Sequence, residues 1–126
     1  MKPKILVVDD QSTIRTLLEF ILNDYDTILK EDGREALNWI YKNETPDLIL
    51  IDGRFRVLCF LTSLKFSPKG TKILFDDYRD RQFYHIVEEF CPIIDRCGRQ
   101  ALFESTNEVK EKITDELLLS FYNVAG

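Results

Sequence analysis

The residues best placed to do chemistry are aspartates that stand where apolar runs stop. "KILVV" (4–8) leads into Asp9 and Asp10, "DLILI" (47–51) into Asp52, and "TKILF" (71–75) into Asp76 and Asp77. Carboxylates crowded at one polar edge repel one another unless a positive charge sits among them. A hard divalent cation such as Mg²⁺, which prefers oxygen ligands and keeps several waters, answers that need. Asp9, Asp10 and Asp52 form the expected metal set, because separate strand ends agree on it. Asp77 taken alone reads as a solvated loop residue.

The elements that must position these groups alternate along the chain. Each apolar run reads as a strand covered on both faces. Ser12 is expected to cap a helix in which Ile14, Leu17, Leu18 and Ile21 share a face. "DTILK" (26–30) is a short second strand, followed by a helix over 34–42. "RFRVLCFLTSL" (54–64) reads as a helix stopped by Ser67, Pro68 and Gly70. Residues 82–91 are expected as a helix that continues toward Pro92, "QALFE" (100–104) as the fifth strand, and 107–124 as one closing helix. Five βα units with short connections predict a doubly wound, five-stranded parallel sheet with helices on both faces. Ligands of such sheets gather beyond the carboxyl ends of the strands, where the aspartates stand.

Composition bounds the partners. The 126 residues, 44% apolar, suit a single domain spanning 1–126. A net charge of −5 argues against nucleic acid and anionic membrane surfaces as partners. No run approaches the roughly 20 apolar residues of a membrane span. Cys59, Cys91 and Cys97 form no CxxC and fit a reducing, cytoplasmic setting with free thiols. The single histidine, His85, lies among aromatic residues and reads as a packing or surface group. "RFR" and "RDR" can hold an anion or simply be solvated.

Residues 3–52, with "ILVVDDQSTIRTLLEFIL", "EDGREAL" and "PDLILID" in order, resemble the first half of a two-component response-regulator receiver domain. The resemblance implies a flavodoxin-like sheet of order 2-1-3-4-5, Mg²⁺ held by Asp9, Asp10 and Asp52, and Asp52 as acceptor of a phosphoryl group. It also implies a histidine kinase or small phosphodonor as partner, and a possible homodimer through the fourth and fifth strands. The second half departs from the family. Receivers supply a metal-ligating carbonyl two residues past the acceptor, here Arg54. They end strand four in Ser or Thr, here Asp76, and strand five in a lysine, here matched by Ser105. Both side-chain exchanges make the site more negative, and Arg54 or Arg56 is the nearest source of compensation. The alternative is a pseudo-receiver that folds but transfers nothing.

Residues 46–104, from "PDLILIDGRFRV" through "TKILFDDYRDRQFYHIVEEF" to "GRQALFE", look instead like the later half of a Rossmann-like, methyltransferase-type domain. The glycine-rich turn that would hold a nucleotide-like cofactor is replaced by "VVDDQST", so S-adenosylmethionine is not expected. The two resemblances meet near residues 46–53, the expected junction of a chimera.

Overall fold

The computed structural model describes residues 2–42 and 46–124. Strands β1 (Lys4–Asp9), β2 (Asp26–Lys30), β3 (Leu48–Asp52) and β4 (Lys72–Phe75) pair in parallel in the order 2-1-3-4. The apolar runs explain why: Leu6, Val8, Ile49, Ile51, Ile73 and Phe75 are all buried. β3 pairs with β1 on one side and β4 on the other, so the expected junction lies within a continuous sheet.

Beyond β4 the expected five-stranded parallel order fails. Asp95–Cys97 (β5) and Gln100–Glu104 (β6) form a hairpin across Gly98, which adopts φ 59°, a conformation glycine takes at little cost. The hairpin inserts β6 antiparallel to β4, and the sheet among the described residues runs β2-β1-β3-β4-β6-β5. Lys72 of β4 ion-pairs with Glu104 directly opposite, consistent with that register.

Helix α1 (Ser12–Ile21) packs on β1 and β2 and has no buried residue. Ser12 is not its cap: Gln11 occupies the N-cap position, and the Asp9 carboxylate accepts the Gln11 N–H at 2.9 Å. Helix α2 (Gly33–Lys42) lies against α3 (Arg56–Phe66), in which Val57 through Leu64 are all buried. Its mixture of apolar and small residues suits the centre of the molecule, where Phe60 meets Phe103 edge-on at 4.6 Å.

Gln82–Glu89 is a 3₁₀ helix, and it stops before Pro92. Residues three apart eclipse in this geometry, which lets Tyr84 and Val87 enter the core together. The closing helix is two short ones, α4 (Asn107–Lys112) and α5 (Asp115–Ser120). Thr114 divides them by accepting the Leu117 N–H at 3.1 Å, while Ile113 is buried just before it.

Candidate functional site: an acidic edge held by arginine

The parallel strands deliver Asp9 and Asp52 as direct register partners, with Asp76 and Asp77 just past the end of β4. Asp9 is only 2% exposed. One of its oxygens, Oδ1, accepts from Gln11 N, and its carbonyl accepts from the Arg15 guanidinium at 2.7 Å. The other, Oδ2, is buried without a hydrogen-bond partner among the described residues. Asp52, Asp76 and Asp77 each offer a carboxylate oxygen within 4.8 Å of the others. Asp10 is exposed.

Burial, reinforced by its acidic neighbours, changes the acidity of Asp52. Burial pushes its carboxyl up to about 7, the Asp9 carboxyl beside it and the charge on Asp76 act in the same direction, and Arg56 opposes them. A proton shared between two neighbouring carboxyls relieves their repulsion, as does a cation.

A cation from the protein already touches this edge. Arg56, in the first turn of α3, places one guanidinium nitrogen 3.1 Å from Asp52 Oδ1. Its remaining donors reach the Gly53 carbonyl at 2.8 Å and the Asp76 carbonyl at 2.9 Å, and its face lies over the Tyr84 ring. The planar fork of arginine suits this threefold clamp. Arg99, brought to the same edge by the hairpin, lies 3.4 Å from Asp77.

Two expected contributors do not reach the site. Ser105 follows the end of β6, and since β6 is antiparallel that end lies at the opposite edge of the sheet. There Ser105 is fully buried, donating to the Leu64 carbonyl at 3.2 Å and bonding Thr71 through its backbone. It therefore does not modulate Asp52. The Arg54 side chain is exposed, and its carbonyl accepts from Gly33 N at 2.8 Å. The carbonyl matching the receiver's metal ligand is thus already hydrogen-bonded.

Asp77, expected as a solvated loop residue, instead faces Arg99, which the pattern of strand ends does not point to. The dipeptide "GR" after "DRC", a two-residue hairpin turn, is the sequence signal that places Arg99 here. His85 packs as expected, its ring 4.7 Å from that of Tyr78 and Nε2 3.0 Å from the Tyr78 carbonyl.

No protein-family model matches the chain. It is 49% identical over 53 residues to a probable transcriptional regulator ycf27 of Porphyridium aerugineum, a match covering 40% of this chain and 22% of that protein. It is 50% identical over 54 residues to the alkaline phosphatase synthesis transcriptional regulatory protein PhoP of Bacillus subtilis, covering 41% and 22%. These matches span about a fifth of each relative's length and support a receiver-like segment over about 40% of the chain. Among solved structures, a methyltransferase-like protein from Silicibacter pomeroyi superposes with a TM-score of 0.57 and 22% identity, over 82% of this chain and 78% of that one. That likeness concerns the fold, an α/β arrangement around a mixed sheet. No helix among the described residues is long and apolar enough to cross a membrane.

Proposed function

We propose that the chain is a receiver-derived signalling module in which Asp52 is a Mg²⁺-dependent phosphoryl acceptor. The observation that carries this reading is the buried Oδ2 of Asp9, which no donor among the described residues satisfies, beside Asp52, whose carboxyl is pushed up to about 7 first by burial and then by the neighbouring Asp9 carboxyl and the Asp76 charge. Asp52, Asp76 and Asp77 bring carboxylate oxygens close enough to share a hard cation, with Asp9 the register partner of Asp52, whereas Asp10 is exposed and lies outside that group; the Arg54 carbonyl already accepts one hydrogen bond from Gly33. When bound, Mg²⁺ supplies neutralising charge for the carboxylates and the incoming phosphoryl oxygens. Asp52 must lose its proton to act as nucleophile. Its oxygen then forms the new bond to phosphorus as the bond to the donor's leaving group breaks: acetate from acetyl phosphate, or the imidazole of a histidine kinase. Arg56 is positioned to pair with the phosphoryl oxygens, a role the family assigns to a lysine from another strand.

The test is intact mass after incubation with Mg²⁺ and acetyl phosphate, with Asp52→Asn in parallel. The proposal expects one added phosphoryl group in the parent and none in the variant.

A second reading, a pseudo-receiver that folds without transferring phosphoryl groups, is favoured by two particulars. The Arg54 carbonyl already accepts a hydrogen bond, and Asp76, which by strand register matches the receiver's hydroxyl residue, adds a carboxylate beside Asp52 instead. An unmodified parent that remains folded would support this second reading.

A further inference from the structure

The strand β2 ends the sheet, and nothing among the described residues pairs with its outer side. Asp26 N donates inward to the Pro3 carbonyl. Backbone groups alternate sides along a strand, so Ile28 and Lys30 also face β1, while the N–H and C=O of Thr27 and Leu29 face outward. Edges of this kind are usually blunted by proline, a bulge or an inward-pointing charge. "DTILK" contains no proline or bulge, and the charges at its two ends, Asp26 and Lys30, are the blunting feature it carries.

We propose that this edge joins a second copy of the chain in antiparallel register about a twofold axis at Ile28. That register sets Thr27 opposite the partner's Leu29, the two residues whose backbone groups are free to exchange hydrogen bonds. Ile28 then meets its own copy in a close, non-hydrogen-bonded pair. Asp26 falls opposite the partner's Lys30, on the same side of the sheet as Ile28, so both ends of the strand carry opposite charges face to face. A parallel arrangement would instead set Asp26 against Asp26 and Lys30 against Lys30. The charge pattern of β2 is therefore self-complementary in the one orientation that its backbone also supports.

Helix α1 adds apolar surface at the same edge. It packs on β1 and β2 yet leaves Leu17 51%, Phe20 77% and Ile21 59% exposed. A twofold axis normal to the sheet brings both copies of α1 to the same face, flanking the new strand pair. This differs from the pairing that the receiver resemblance implies, since the fifth-strand position, β6, is here covered by β5.

Sedimentation equilibrium over a concentration series tests the proposal on the intact chain. The parent should approach twice its monomer mass as concentration rises. Asp26→Lys and Lys30→Asp, each making two like-charge pairs across the axis, should each raise the dimer dissociation constant by about tenfold or more. The double exchange, and an equimolar mixture of the two single variants, should restore dimerisation. Thr27→Pro, which removes an outward N–H, should leave a monomer with an unchanged far-ultraviolet circular dichroism spectrum. A parent that stays monomeric throughout would overturn the proposal and leave the edge to an extended segment of another protein. A dimer indifferent to both charge reversals would overturn it equally.

Discussion

Arg56 reaches Asp52 at 3.1 Å from one turn along the chain, so the candidate acceptor and the cation that tempers it belong to a single β-to-α connection. In the receiver pattern the balancing charge comes from a distant strand. Here it comes from the helix that immediately follows, and the guanidinium also ties the Gly53 and Asp76 carbonyls together.

The acidity of Asp52 makes stability depend on pH in a definite direction. Its carboxyl moves from 3.8 to about 7 in the folded protein, so between those values the folded state binds more protons than the unfolded one. Stability is therefore favoured at low pH and declines as pH rises through 7. Asp52→Asn should flatten that decline and stabilise the protein at pH 8 by ~2 kcal/mol, after allowing for partial solvent exposure. Urea denaturation of both proteins at pH 5 and pH 8 measures it. Equal slopes with pH would show that Asp52 titrates in the ordinary carboxylate range.

Removing the arginine should act in the opposite sense to adding a cation. Arg56 lowers the Asp52 value, so Arg56→Gln should move the Asp52 midpoint above 7, while Mg²⁺ binding should move it down. Carbon-13 NMR of the Asp52 carboxyl reads both shifts. A midpoint unchanged by Arg56→Gln would mean that this partly buried contact adds nothing to the acidity of Asp52.

Much of this site could be read from the chain because strand ends announce themselves. The apolar runs before Asp9, Asp52 and Asp76 locate the carboxylates, and parallel pairing of β1, β3 and β4 brings their ends together. The direction of β6 could not be read the same way. "QALFE" alternates identically whichever way it is inserted, and only its neighbour decides. That neighbour, β5, is three exposed residues, Asp95, Arg96 and Cys97, with no apolar alternation to betray it. From this one reversal follow the loss of Ser105 from the site and the arrival of Arg99.

The three cysteines should divide by burial. Cys97 is exposed, whereas Cys59 and Cys91 are buried. Burial pushes the Cys59 thiol up to about 12 and the Cys91 thiol up to about 11, leaving almost no thiolate at neutral pH. A colorimetric thiol reagent should titrate one group in native protein and three after denaturation. Rapid reaction of all three without denaturant would show that the core around α3 opens readily.

Gly33 packs tightly against the connection that precedes α3. Gly33 opens α2 in the receiver-like half, whereas Phe55 belongs to the connection before α3. A Cβ on Gly33 would stand 2.4 Å from the Phe55 carbonyl oxygen and 3.0 Å from Cys59 Cβ. Phe55 cannot easily yield, since it holds a left-handed conformation at φ 58° and its ring is covered by the Arg34 guanidinium at 4.2 Å. The same Arg34 donates to the Tyr122 carbonyl, so α2 is fastened to the C-terminal segment as well. Gly33→Ala should therefore cost about 1–3 kcal/mol despite the better helix propensity of alanine. Gly70→Ala serves as the comparison, because a Cβ there meets nothing within 4 Å and only its φ of 97° is strained. If Gly33→Ala were neutral in urea denaturation, the β3–α3 connection would have to give way readily around the added methyl group.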